Sequence, residues 1–459
     1  MLSQNWRRVI FLIFLVLFLV TAPALVLYTA GYRYNFKKNS MERVGAISVQ
    51  ARPASAEIYL DGQLQTGSRQ NNTLRINNLL PGRYQLAIKE AGYHPWQKNL
   101  EVSSSANTFV NQAVLFLESA PVNLSAAPIS QILKSPDGKN IAALTNNQLE
   151  IFNLTNEQSA KLAPAGNNWQ LVSWSPESNY LLVKNTAGQF VLYQPATPAW
   201  QLPLKSILPL NWDRVAWAET NDYLLYAKAG DGFYQLNLLT KESQLLYRLP
   251  AQAGLPATAG KLGPDFFYRQ KQLYYTELAA DGWWLKKINL NAEQTTPEQI
   301  LKLGSNSSLF FYPHPENNTI VLLDQNRNQL YLVDQSFSQN LLTANAKQFS
   351  WSADGQKLLY YNDWEVGQYN LATKNNELIT RYGQVIAAAE FLPNLDYLCL
   401  LIDNSLKIIE LDNRGERNVI ELINADKISN LVIEPKGQNI FFTGQLGEKT
   451  GLFKVNIQK

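Results

Sequence analysis

Along most of its length the chain alternates short apolar runs with compact polar punctuation, the pattern of half-buried strands joined by tight turns. The clearest instance is Phe349–Tyr361, FSWSADGQKLLYY, where apolar runs flank Ala353-Asp354-Gly355. Asp-Gly between two hydrophobic runs is a strong short-range signal for a β-turn, so this stretch predicts strand, turn, strand. Variants recur at Ile132–Leu144 (ILKSPDGKNIAAL), Val172–Val183, Val215–Tyr226, Phe310–Leu323, Phe391–Leu401 and Val432–Phe442.

Spacings of roughly 40 residues with four short strands each are those of propeller blades. Residues 129–459 then hold eight units. One of them, Phe266–Leu290, lacks the polar turn and is placed only by its spacing and by its strands Leu273–Thr276 and Trp284–Ile288, so the alternative count is seven. The last unit runs Leu431–Glu434, Ile440–Thr443 and Leu452–Ile457 and has no fourth strand. Pro121–Ser125 resembles the fourth-strand segments Leu202–Leu204 and Glu377–Thr380. It is expected to pair with the last unit, so that residues 119–126 close the ring and two exposed sheet edges disappear. The propeller is thus assigned to 119–459.

The N-terminus has a different pattern. Val9–Tyr28 carries no charge, and about 20 such residues at 1.5 Å each span a hydrocarbon layer of ~30 Å. Arg7 and Arg8 precede the run, Tyr28, Tyr32 and Tyr34 lie at its far end, and Arg33, Lys37 and Lys38 follow. Tyrosines there fit an interfacial aromatic belt, and a short tail with two arginines is readily retained inside. The expectation is a tail at 1–8, a transmembrane helix at 9–30 with the bilayer as partner through 9–28, and a juxtamembrane linker at 31–44. The rest of the chain is then extracytoplasmic. The alternative is a signal peptide cleaved near Ala22-Pro23-Ala24, which exports the rest equally.

Gly45–Val102 reads as a compact all-β module, counted as a domain at 45–118. Ala46–Gln50 alternates as a half-buried strand, Ile58–Leu60, Leu74–Asn77 and Tyr84–Ile88 continue it, and Lys98–Val102 closes it. Val110–Ser119 then leaves as one more strand, with little Gly or Pro to make a flexible linker. Ile47-Ser-Val, Pro53, Ala56–Gly62 (AEIYLDG), Gly67, Leu79–Tyr84 (LLPGRY), Lys89–Tyr93 (KEAGY) and Pro95-Trp96 resemble the PEGA domain, a small β-sandwich of surface and envelope proteins. The chain departs from that pattern at Pro53-Ala-Ser-Ala56 and at Gly67-Ser-Arg-Gln, which is followed by an Asn-rich insertion. The resemblance transfers no enzymatic residue. Trp96 is expected in the core, and His94, beside Pro95, in an exposed turn. The Ser-Pro-Asp-Gly and Ser-Ala-Asp-Gly turns, with Trp174, Trp217 and Trp351 before three of the loops, resemble TolB-like and WD-repeat-like propellers. The fold class is therefore all-β: a transmembrane helix, a PEGA-like sandwich and a seven- or eight-bladed propeller.

Composition narrows the chemistry. The chain of 459 residues is 17% charged with a net charge of +3, its cations are scattered, and no basic stripe suited to nucleic acid is present. One cysteine, Cys399 in the apolar run YLCLLI, rules out an intrachain disulfide and reads as core. Two histidines, His94 and His314, exclude a multi-histidine metal site and speak against a histidine-based triad. No Gly-x-Ser-x-Gly is present, and Asp137-Gly138 and Asp354-Gly355 lack the intervening residue of sialidase-type repeats. No cofactor, metal or catalytic residue is assigned. Asn-x-Ser/Thr triplets at Asn71, Asn123, Asn153, Asn306 and Asn317 carry no inference in so Asn-rich a chain.

In an up-and-down blade the turns from strand two to three share one face with the links to the next blade. That face would display Asp231, Trp283, Trp284, Asn328, Asp363 and Trp364, a set suited to a protein or cell-wall glycan partner. The alternative for Trp283 and Trp364 is packing between blades. The function expected is a membrane-anchored, non-catalytic envelope binding or scaffold protein. An exported propeller enzyme acting on polysaccharide, which needs only two suitably spaced carboxylates, and a purely structural envelope protein are the alternatives.

Overall fold

The computed structural model describes residues 4–459 except 37, 147, 163–167, 250–260, 292–295, 305–307, 315–316 and 335. Asn306 and part of the turn in Phe310–Leu323 therefore lie outside the described residues. The chain divides into two compact units, one of residues 1–119 with 409–420 and 457–459, the other of residues 120–408 and 421–456.

In the first unit, a helix runs Gln4–Thr29, and its 22-residue stretch Arg8–Thr29 is long and apolar enough to cross a membrane. The stretch read as a linker, 31–44, is instead a two-stranded antiparallel hairpin of Tyr32–Asn35 and Ser40–Arg43. The sandwich follows. One sheet has the order Thr73–Leu79, Gly45–Arg52, Asn107–Val114, and the other Gln63–Leu64, Glu57–Leu60, Gly82–Lys89, Trp96–Val102. Gly45–Arg52 is the central strand, with Ala46 to Val49 all buried rather than half-buried. Asn107–Val114 does not leave the module. It pairs parallel to Gly45–Arg52 and contributes Val110 and Ala113 to the core. Ile58, Leu86, Ile88 and Trp96 fill that core from the second sheet, and Trp96 is fully buried. His94 is half-buried, its backbone N–H donating to the Phe116 carbonyl at 2.8 Å.

Strand Trp96–Val102 alternates strictly, and its inward positions are Trp96, Lys98, Leu100 and Val102. A cation on the core face requires a partner. The Lys98 ammonium lies 3.0 Å from Glu410 and 3.3 Å from Asp412, and it also donates to the Asp412 carbonyl at 2.8 Å. Burial pushes the Glu410 carboxyl up, against the attraction of Lys98. Burial acts the same way on Asp412 but is outweighed by the Arg414 guanidinium, at 2.7 Å, by the Arg414 backbone N–H and by Lys98. These hold its carboxyl down to about 2.

Residues 122–456 form a ring of eight four-stranded antiparallel sheets. Blades 1 to 7 span 129–161, 169–203, 214–248, 262–302, 309–345, 348–381 and 386–424. Blade 8 consists of Lys427–Ile433, Asn439–Leu446, Lys449–Asn456 and, as its fourth strand, Val122–Ser125. Blade 4 escaped the turn signature because its first two strands join through Gln270-Lys271, a two-residue turn with φ of 50° and 59° that needs no Asp-Gly. Apolar clusters lie between adjacent blades, such as Leu182, Val215 and Leu236 between blades 2 and 3, and Phe152, Val432, Phe441 and Leu452 between blades 1 and 8. Cys399 is buried in blade 7, and burial raises its thiol well above the ordinary range.

The Ser-x-Asp-Gly turn is a self-contained knot of hydrogen bonds. In blade 6 the Ser352 hydroxyl donates to Asp354 at 2.5 Å and accepts from the Lys357 N–H at 2.9 Å, and Asp354 accepts from the Gln356 N–H at 3.1 Å. Blade 1 repeats this with Ser135, Asp137 and Lys139. Blade 2 has Glu177 and Ser178 where the others have Asp-Gly, and the missing carboxylate comes from blade 3. Buried Asp222 accepts from the Ser175 hydroxyl and the Glu177 N–H, each at 2.8 Å. These turns also link blades: the Asp137 N–H donates to Ser178, Asn317 donates to the Gly355 carbonyl, and Lys357 pairs with Asp396.

Gly451, at φ +128°, lies where a Cβ would collide with the Ser125 carbonyl of the closing strand, whereas Gly447, at φ +59°, faces open space. Gly447→Ala should cost about 1 kcal/mol, whereas Gly451→Ala should cost about 3 kcal/mol or more, read as thermal unfolding of the propeller. Folding lowers the Asp412 pKa from about 3.9 to about 2, so its contribution is present above the unfolded value and lost as pH falls through the folded one. Denaturant titrations of wild type and Asp412→Asn should therefore differ by about 2 kcal/mol at neutral pH and converge between pH 4 and 2.

Candidate functional site

The strand-two-to-three turns of blades 3 to 6 emerge on one face of the ring, and each is tied to the link that follows its own blade. In blade 3 the turn is Gly230-Asp231, between Asn221–Ala229 and Gly232–Asn237. The Leu249 N–H donates to the Asp231 carbonyl at 3.0 Å, and the Asp231 carboxylate lies 3.9 Å from Arg248. Both side chains are mostly exposed, so this is a weak, screened pair.

Blade 4 carries the tightest arrangement. Asp281 accepts from the Trp284 indole N–H and from the Lys302 ammonium, each at 2.8 Å, and that ammonium also stands 5.5 Å over the Trp284 ring. The Lys302 hydrogen bond, then that of Trp284, lowers the Asp281 pKa. Trp283 points to the other side of the strand, where it packs on the cluster of Phe267, Leu309 and Phe311 between blades 4 and 5, and its carbonyl accepts from the Leu303 N–H at 2.7 Å. Of the adjacent tryptophans, Trp284 belongs to the turn, and Trp283, partly buried, packs against the core between blades 4 and 5.

In blade 5, Asn328 sits at φ 52° between Thr319–Asp324 and Gln329–Asp334, and its carbonyl accepts from the Ala346 N–H at 2.8 Å. Its role there is to shape the turn. In blade 6, Asn362 accepts at 2.9 Å from the N–H groups of both Trp364 and Glu365, which fixes the loop. Asp363 pairs with Lys347 at 2.5 Å, Glu365 pairs with Arg381 at 2.7 Å, and Trp364 stands 49% exposed, with Val385 at 43% in the following link. Backbone bonds from Tyr382 to Trp364 and from Ile386 to Asp363, each 2.9 Å, hold turn and link together.

The topology thus brings the turns that carry these residues out on one face, but Trp283 packs between blades 4 and 5, and the others stand in separate local networks and not around one pocket. Sequence reasoning missed a cleft of 430 Å³ at the opposite turns of blades 1 and 2, lined by Asp137, Glu177 and the amides Asn153, Asn156, Gln158 and Asn179. The run NLTNEQ at 153–158 was its visible signal. A polysaccharide hydrolase needs a carboxyl of raised pKa as its general acid. Against desolvation, the Ser135 hydroxyl and the Lys139 N–H push Asp137 the other way. Among the described residues no group of three or more His, Cys, Asp or Glu could hold a metal ion.

Residues 44–114 match the model of the PEGA domain. Among solved structures the chain is similar to a eukaryotic initiation factor (13% identity over 82% of this chain and 98% of that one, TM-score 0.47). It is also similar to the β-propeller domain of Cps50 (Swd1) from Myceliophteria thermophila (9%, 74% and 100%, 0.44) and to Sqt1 from Saccharomyces cerevisiae (11%, 74% and 98%, 0.47). These likenesses concern the fold alone. Curated proteins give no match.

The two tryptophan environments separate in stability. Trp283→Ala should cost about 2 kcal/mol in denaturant unfolding, as a partly buried aromatic packed against the cluster between blades 4 and 5. Trp364→Ala, half in solvent and with its loop still held by Asn362, should cost under about 1 kcal/mol.

Proposed function

We propose that this chain is a membrane-anchored, non-catalytic binding protein of the cell envelope, whose propeller takes a protein partner on the turn face of blades 3 to 6. The apolar helix and the arginines before it support an anchor with its short tail inside. The PEGA domain, a module of surface and envelope proteins, supports exposure of the remainder outside the cytoplasm.

The observation that carries the binding reading is Trp364. A half-exposed tryptophan on a loop fixed by Asn362, beside exposed Val385 and flanked by the pairs Lys347–Asp363 and Glu365–Arg381, is an aromatic anchor with a charged rim. Rim charges of both signs suit a protein surface better than a neutral sugar. Cell-wall glycan is the alternative ligand for the same face.

A photo-crosslinking residue at 364 in the full chain, in cells, should give a discrete protein adduct, and one at the exposed Lys139 on the opposite turns should not. Equal capture from both positions, or adducts to glycan alone, would overturn the protein reading. A C-terminal tag should be removed by protease added to intact cells lacking an outer barrier. Its protection until lysis would reverse the orientation.

A further inference from the structure

The hairpin Tyr32–Arg43 follows directly on the apolar helix. The helix ends at Thr29, where the Ala30 N–H donates to the Val26 carbonyl at 2.9 Å and the Gly31 N–H to the Tyr28 carbonyl at 3.2 Å. Gly31 adopts φ +83°, the left-handed conformation that stops a helix, and its carbonyl accepts from the Val44 N–H at 2.9 Å. The hairpin base is thereby closed next to the helix terminus. Three residues of chain reach at most about 10 Å, so if the helix fills the hydrocarbon layer the first strand starts in the headgroup zone.

The register divides the hairpin into two faces. Tyr32 pairs with Arg43 and Tyr34 with Met41 on one, and Arg33 pairs with Glu42 and Asn35 with Ser40 on the other. The polar face is internally satisfied: Asn35 donates to Glu42 at 2.7 Å, Lys38 pairs with Glu42 at 2.9 Å, and Arg33 caps the helix by donating to the Tyr28 and Tyr32 carbonyls at 2.8 Å. The Arg33 guanidinium also lies 3.6 Å from the Tyr28 ring centre. On the other face Tyr34 is 42% and Met41 45% exposed, and at the tip Phe36 is 87% exposed, its ring 5.0 Å from that of Tyr34. Arg43 stands 5.0 Å from the Tyr32 ring and, among the described residues, forms no ion pair. Four cations and one carboxylate in residues 32–43 give the element a positive charge.

We propose that this hairpin is a bilayer-interface element that inserts Phe36, with Tyr34 and Met41, among the lipid headgroups and presents Arg43 to the phosphates of anionic phospholipids. The occupant is a lipid surface because the apolar face is continuous in the chain with the apolar helix, and because Arg43 on that face, which among the described residues forms no ion pair, matches an anionic headgroup. The Ser104 hydroxyl, donating to the Arg43 carbonyl at 3.2 Å, and Arg33, donating to Asn78 at 3.3 Å, tie the hairpin to the PEGA module, which thereby acquires a fixed attitude to the bilayer. The proposal rests on the anchored reading of the helix, and its test separates the two.

The full chain, with buried Cys399 replaced by Ala, is given an environment-sensitive dye at one of Leu17→Cys, Phe36→Cys or Leu64→Cys and placed in lipid nanodiscs with or without phosphatidylglycerol. The dye at 17 should be quenched by lipids brominated deep in the acyl chain in both compositions, and the dye at 64 should stay aqueous. The dye at 36 should shift to the blue, respond to shallow quenchers, and do so more strongly with phosphatidylglycerol. Arg43→Gln should cut that lipid-dependent gain about fivefold, one cation's share, and leave position 17 unchanged. A dye at 36 that stays aqueous while 17 is deeply quenched would overturn the hairpin proposal alone. Insertion at 36 indifferent to phosphatidylglycerol would overturn the anionic-headgroup assignment. A dye at 17 open to aqueous quencher would overturn the anchor, and this proposal with it.

Discussion

The propeller depends on one pairing between distant parts of the chain, strand Val122–Ser125 against Lys449–Asn456. Bringing together positions some 330 residues apart costs about 5 kcal/mol of chain entropy if the intervening chain is disordered. Once seven blades are stacked that cost is largely met already, because each blade positions the next. The final strand then gains its ladder, the bond from the Asn123 amide to the Thr450 carbonyl at 3.0 Å, and the burial of Leu124 against Val432, Phe441 and Leu452. Open, the same ring would show one bare edge at each end. Closed, blade 8 packs on Ile141, Ala143 and Phe152 of blade 1 as any blade packs on its neighbour.

Given closure, the two faces of the ring carry different chemistry. On one, the Ser-x-Asp-Gly turns and their substitutes spend their carboxylates and hydroxyls on their own backbone and on adjacent blades: Asp222 completes a turn of blade 2, and Arg269 pairs with Glu219 at 2.9 Å. On the other, the turns of blades 3, 4 and 6 hold short-range, exposed acid–base pairs that any partner could rearrange at little cost. A face whose polar groups are committed to the scaffold tolerates little change, whereas one built from local pairs on rigid turns is free to specialise.

Much of this was legible in the chain, for identifiable reasons. The blades announced themselves through a turn whose shaping bonds, Ser352 to Asp354 and Asp354 to the Gln356 N–H, are local, so the residues that make it are adjacent in sequence. The PEGA module was readable from its glycines and aromatics. What escaped was non-local. Parallel pairing of Asn107–Val114 with Gly45–Arg52 needs no hairpin turn and so leaves no local mark. Lys98 occupies a visible inward position of WQKNLEV, but its partners Glu410 and Asp412 lie more than 300 residues away. In the candidate site, the face on which each turn emerges follows from topology alone. The division of labour between Trp283 and Trp284 does not, because it is set by strand register, and a shift of one residue would exchange them. The hairpin at 32–43 turns through Asn39 at φ 53°, and its cues are faint beside the hydrophobic run before it.

The closing strand also sets an order of events during synthesis. Val122–Ser125 leaves the ribosome before any blade has formed, and its partner, Lys449–Asn456, leaves after nearly all of the propeller has been made. Throughout elongation, and through any passage across a membrane, the nascent chain therefore carries an unsatisfied strand edge at its front and a growing one at its back. Each is a template for the wrong neighbour, including a second copy on the same messenger. Until residue 449 has been made the arc stays open, so the interval of exposure lengthens with every pause in translation before it.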